Sequence, residues 1–122
     1  MRRLALVVDD SMLIRHMVCR FLEERGFTVE SATNGIEALE LLSHVHPDIV
    51  ITDLTMPKMD GTEFVAKMRE RPELAATPIV VLAAKSSAME FSHRPTAEFI
   101  IFKDIDIEGQ LGRALDATFT NR

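Results

Sequence analysis

The sequence predicts an α/β fold: a doubly wound three-layer sandwich around a five-stranded parallel sheet of order 2-1-3-4-5, with five helices. Three observations predict it. Five short runs are rich in Val and Ile, helix-period segments separate them, and acids or a lysine stand at the ends of three of the runs. Strands that alternate with helices pair in parallel through right-handed crossovers. In open sheets of this kind a ligand sits beyond the carboxyl ends of the strands, where the strand order reverses, here between strands one and three.

The expected strands are Leu4–Val8, Val29–Ala32, Asp48–Thr52, Pro78–Leu82 and Phe99–Phe102. Between the first two, Leu13, Ile14, Met17, Val18, Phe21 and Leu22 recur at helical spacing, and Gly26 follows as a stop. Asn34 is suited to cap a second helix carrying Ile36, Leu39 and Leu42. Phe64, Val65 and Met68 mark a third helix after Gly61, and Ile107, Leu111, Leu115 and Phe119 mark the last, against the weakening effect of Gly109 and Gly112. Ser86–Thr96 shows little periodicity and is broken by Pro95, so a short or mobile fourth helix is expected there.

Length and composition bound the function. A chain of 122 residues with 47% hydrophobic content suits one globular domain with a sizeable core. The opening "MRRLALVVDD" turns from charge to apolar as an export signal does, but the apolar run is too short and meets two acids. No stretch has the length of a membrane span, and Cys19, the single cysteine, has no partner in the chain. A cytoplasmic protein with no membrane association is expected. A net charge of −5 argues against a surface that wraps nucleic acid, which needs clustered Lys and Arg.

The acids carry the chemistry. Asp9 and Asp10 end the first apolar run, Asp53 ends the third in "IVITDLTMPKMDG", and Lys103 ends the fifth in "FIIFKD". Two ionised carboxylates about 4 Å apart repel by roughly 4 kcal/mol near a protein surface, so folding alone gives no reason to set them side by side. A hard cation between them offsets that cost. Magnesium takes one or two carboxylates, keeps several waters and prefers oxygen donors, so it fits this set. Asp53, from a different strand, is then placed to attack a phosphoryl group while the cation and Lys103 balance charge.

The set "VVDD", "ITDLTMPKMDG" and "IIFK", in this order and at these intervals, resembles the receiver domain of response regulators in two-component signalling, similar to the chemotaxis response regulators, from Leu4 to Phe119. The resemblance implies that residues 1–122 form a single receiver domain with no output domain. It implies that Asp53 is the phosphoacceptor, that Asp10 binds magnesium directly and Asp9 through water, that the Thr55 backbone carbonyl is a further ligand, and that Lys103 pairs with the phosphoryl group. The implied donor is a phosphohistidine on a sensor histidine kinase or a histidine phosphotransfer protein, and output runs through contacts with a downstream protein that the sequence does not name. Such domains are signalling phosphoacceptors that catalyse their own phosphorylation and commonly hydrolyse their own aspartyl phosphate.

Three positions depart from the family pattern. Ala83 replaces the Thr or Ser that ends strand four, Ile100 replaces an aromatic residue in a chain that contains no Tyr, and Asp104 follows Lys103 where the family usually has proline. The chemical half of the motif is intact and the switching half is altered. Hence an alternative reading: a degenerate receiver that binds protein partners independently of phosphorylation. A hydrolase with an aspartate nucleophile is a third class, but its Asp-x-Asp spacing at strand one is absent from "VVDDS".

Each site residue has a plainer role to set beside this. Asp10 or Ser11 is also suited to cap the first helix, and Pro57 and Gly61 suit turns anywhere. Lys85 is either near the phosphoryl group or a solvated loop lysine. His44 and His46 near the end of the second helix, and His16 and Cys19 on the first, are expected to be structural.

Overall fold

The computed structural model describes residues 2–84 and 97–119. Five parallel strands form one sheet of order β2-β1-β3-β4-β5, with β1 Leu4–Val8, β2 Thr28–Ala32, β3 Ile49–Asp53, β4 Ile79–Ala83 and β5 Phe99–Phe102. The described helices are α1 Met12–Glu24, α2 Gly35–Leu41, α3 Gly61–Glu70 and α4 Ile107–Phe119, with a 3-10 turn at Pro72–Leu74. The expected helix over Ser86–Thr96, and Lys85 with it, lie outside the described residues. Among the described residues no helix is long and apolar enough to cross a membrane.

Side chains alternate across the sheet, so each strand feeds two cores. Leu6, Val8, Val50, Ile79 and Val81 pack with Ala38 and Leu42 at α2 and with Phe64, Val65 and Met68 of α3. Ala5, Val7, Ile49, Ile51, Val80 and Leu82 pack on the other face with Val18 and Leu22 of α1 and with Leu111, Ala114 and Leu115 of α4. The central strands β3 and β4 are buried throughout, as their unbroken apolar runs require. β2 is not buried on both faces: Thr28, Glu30 and Ser31 are exposed, because it is an edge strand.

Local chemistry sets the element ends. Ser11 caps α1, accepting from the Ile14 N–H, and Gly26, at φ 93°, turns the chain after it. Asn34 caps α2 and Asp60 caps α3 through the N–H groups of Glu37 and Glu63. Strands β3 and β4 begin one residue later than expected. Asp48 uses its carboxylate and its N–H on the two ends of Leu4, and Pro78 has no N–H to donate to a ladder. α4 forms despite its two glycines: a Cβ on Gly109 would lie 2.1 Å from Asp106 Oδ2, and one on Gly112 would lie 3.1 Å from the Arg25 guanidinium.

Candidate functional site

The register of the sheet assembles the site. Val8 pairs with Thr52 across β1 and β3, so the next residues, Asp9 and Asp53, emerge side by side. Asp53 itself is level with Leu82 on β4, and Ala83 with Phe102 on β5, which brings Lys103 in one step further along. Each of these points is pinned to a neighbouring strand. The Asp9 N–H donates to the Ala32 carbonyl at 3.1 Å, the Leu54 N–H to Leu82 at 2.9 Å and the Lys103 N–H to Ala83 at 2.9 Å.

Asp9, Asp10 and Asp53 each present a carboxylate oxygen, and these oxygens lie within 4.8 Å of one another. Asp9 is wholly buried; its Oδ1 accepts from the Ser11 N–H at 2.8 Å, while its Oδ2 has no hydrogen-bond partner among the described residues. Burial, with Asp53 and Asp10 adding like charge against the pull of the Ser11 N–H and Lys103, raises the Asp9 pKa to about 6. An orphaned anionic oxygen in a buried acid cluster is what a hard cation satisfies, so the donor set fits magnesium on its own chemistry. Asp10 is exposed and is released from capping α1, because Ser11 does that.

Asp53 is 2% exposed, and burial raises its pKa against the opposing pull of Lys103 and of the Thr55 and Leu54 N–H groups. The Lys103 ammonium stands 2.7 Å from Asp53 Oδ1, and the Leu54 N–H donates to the same oxygen at 2.8 Å. Thr55, whose carbonyl the resemblance makes a metal ligand, thus also turns its N–H to Asp53. Ala83 closes β4 at 1% exposure in the same apolar cluster as Leu54 and Met56, and Ile100 packs against that cluster. His16 and Cys19 line a groove between α1 and β2 and add no atom to the acid cluster; Cys19 is half-buried, as expected.

One site feature has no signature in the sequence. Arg15, one turn into α1, donates from Nη1 to the Asp9 carbonyl at 2.8 Å, setting a positive charge behind the acids and fixing their turn. The loop after Asp53 passes so close that a Cβ on Gly61 would meet the Asp53 carbonyl oxygen at 2.3 Å. The Gly61 N–H donates to the Leu54 carbonyl, and Lys58 takes φ 71° in a tight turn where the Met59 N–H meets the Pro57 carbonyl. The turn reading of "MPKMDG" and its site role are therefore the same structure.

The chain thus sets a buried strand-end aspartate, ion-paired to a lysine, beside two further acids on a 2-1-3-4-5 sheet. The chain belongs to the response regulator receiver domain family, whose model matches residues 5–114. It is 40% identical over 85 residues to the response regulator MprA of Mycobacterium sp. strain KMS, an alignment covering 70% of this chain and 36% of that protein. This chain therefore spans about a third of the length of such relatives. Among solved structures it is similar to the chemotaxis response regulator CheY4 of Vibrio cholerae, with a TM-score of 0.88 and 31% identity over 98% of this chain and 100% of that one. It is also similar to the receiver domain of a signal transduction histidine kinase from Syntrophus aciditrophicus, with a TM-score of 0.88 and 28% identity over 97% and 90% of the two chains.

Proposed function

We propose that residues 1–122 act as one receiver unit in which Asp53 accepts a phosphoryl group from a phosphohistidine on a sensor histidine kinase or a histidine phosphotransfer protein. The observation that carries this is the Lys103 ammonium 2.7 Å from Asp53 Oδ1, beside two more carboxylates gathered within 4.8 Å. An Asp53 oxygen forms the new P–O bond as the P–N bond to the donor imidazole breaks, and the imidazole leaves with the electron pair and takes up a proton. Lys103, freed from the carboxylate, pairs with the phosphoryl oxygens, while the Leu54 and Thr55 N–H groups hold the aspartate in its attacking orientation. Asp9, Asp10, Asp53 and the Thr55 carbonyl would hold magnesium, which supplies positive charge for the phosphoryl oxygens. The phosphorylated domain signals through contacts with a downstream protein, and water hydrolyses the aspartyl phosphate to free phosphate and the Asp53 carboxylate.

A phosphorylation-independent binding module is the second reading, favoured by the buried methyl of Ala83 where the family has a hydroxyl. One experiment separates the two. The native chain and Asp53→Asn are incubated with magnesium and acetyl phosphate, and the protein mass is recorded. A labile, stoichiometric gain of one phosphoryl group in the native chain, absent from Asp53→Asn and from magnesium-free samples, supports the phosphoacceptor. No gain in the native chain and no turnover leaves the binding module, and turnover of the donor that persists in Asp53→Asn points to a hydrolase.

A further inference from the structure

Lys103 must be aimed, and the segment that aims it is short of constraint in its own sequence. It follows β5 in "FKDIDIEGQ", with no proline in the stretch and with Asp104, Ile105 and Asp106 exposed. Its backbone is held from α4. The Gln110 side chain, one turn into that helix, accepts from the Phe102 N–H through Oε1 at 3.1 Å and donates from Nε2 to the Phe102 carbonyl at 2.8 Å. The same Nε2 donates to the Ile105 carbonyl, with a longer contact to Asp106 at 3.5 Å. One carboxamide therefore grips the residue before Lys103 and the residue two after it. Only a group with an acceptor and two donors on one plane can do this; Glu lacks the donors and Leu lacks both.

The rest of the loop is shaped to put Gln110 there. Asp106 adopts φ 37°, a conformation that side-chain-bearing residues seldom take, and its Oδ1 accepts from the Gly109 N–H at 3.0 Å to start α4. Its carbonyl accepts from the Gln110 N–H at 3.1 Å. Gly109 leaves room for this cap, since a Cβ there would lie 2.1 Å from Asp106 Oδ2 and would make the carboxylate turn away.

We propose that Gln110 is the positioning residue of Lys103: its carboxamide fixes the backbone on both sides of the lysine and so keeps the ammonium against Asp53. This rests on the phosphoacceptor reading for its catalytic consequence, while the structural tie is testable without it. A misplacement of about 1 Å at a reacting group costs up to roughly a hundredfold in rate, so loss of the grip predicts phosphorylation about ten- to a hundredfold slower.

The test uses Gln110→Leu, which keeps size and helix propensity, and Gln110→Glu, which keeps the acceptor alone. The order of the Lys103 side chain is measured by 13C relaxation in the metal-free proteins. Acetyl phosphate labelling rates are then measured with magnesium in the native and Lys103→Met backgrounds. Gln110 positions the lysine if both variants lower Lys103 order, slow labelling at least about tenfold, and slow it no further once Lys103 is Met. Unchanged Lys103 order, or an equal slowing in the Lys103→Met background, overturns the proposal. If even the native chain takes no label, the phosphoacceptor reading falls, and the relaxation data alone decide whether Gln110 holds Lys103.

Discussion

Gly61 lies against the backbone of Asp53: a Cβ on it would come within 2.3 Å of the Asp53 carbonyl oxygen and 2.7 Å of the Leu54 Cα. Both are main-chain atoms, of Asp53 and of Leu54, whose N–H donates to the Asp53 carboxylate, so neither can yield without moving the site. The loop from Leu54 to Asp60 folds back onto its own origin, and the space for that return exists only without a side chain.

Gly61→Ala is accordingly expected to cost about 1–3 kcal/mol of stability, in the range of overpacked sites. It should also slow phosphorylation of Asp53 by displacing the carboxylate. Urea unfolding and the acetyl phosphate assay check the two effects. Native-like stability in Gly61→Ala would mean that the loop has room the structure does not show.

The acid cluster predicts an inverted pH dependence. Asp9 in the fold titrates at about 6 because of its burial, against 3.8 for the unperturbed group. Between those values the folded chain binds a proton that the unfolded chain does not, so stability rises as pH falls through 6 toward 4, and the penalty is in full force above 6. Its size is at most about 3 kcal/mol. Burial raises Asp53 in the same direction. Without metal, the urea midpoint should be higher at pH 5 than at pH 7.5, and millimolar magnesium should flatten the difference by stabilising the ionised form. A midpoint that falls from pH 7.5 to 5 in metal-free buffer contradicts this.

Asp10 is exposed, and Ser11 rather than Asp10 caps α1. Asp10→Asn should therefore leave metal-free stability within about 0.5 kcal/mol, as surface substitutions do. It should weaken magnesium binding by on the order of tenfold or more, since one of few anionic oxygens is lost. Calorimetric titration of native and variant chains reads this directly. Equal affinities would reduce Asp10 to a bystander.

At the Ala83 position a hydroxyl could bond the phosphoryl oxygens, and a hydrogen bond to a charged group contributes about 1.5–3 kcal/mol, a ten- to hundredfold bias in a two-state ratio. Ala83 has only a methyl group, and Ile100, packed against the same cluster, is β-branched and stiff. Beryllofluoride should therefore shift amide resonances mainly along Asp53–Gly61 in the native chain, and should reach Ala83 and Ile100 only in Ala83→Thr. Large shifts at Ala83 and Ile100 in the native chain would show a switch that works without the hydroxyl.

Strand order, the doubly wound class and the acids at the strand ends were legible before any coordinate, because burial on two faces demands unbroken apolar runs and because parallel crossovers leave one place for a site. Asp9, Asp53 and Lys103 were readable for that reason: each closes an apolar run, and register does the rest. The strand ends at Asp48 and Pro78 were not, since they depend on which N–H finds a partner across the sheet. Nor was the choice between Asp10 and Ser11 as the cap, two neighbouring residues with equal aptitude. Arg15 and Gln110 left no trace in the pattern, being single polar residues on amphipathic helices. Only the packing of α1 and α4 against the sheet carries Arg15 to the Asp9 carbonyl and Gln110 to the backbone on either side of Lys103. Periodicity reports which face of an element is dry. Hydrogen bonds between residues distant in the chain or held at a helix end are set by how those faces meet, and that is decided in three dimensions.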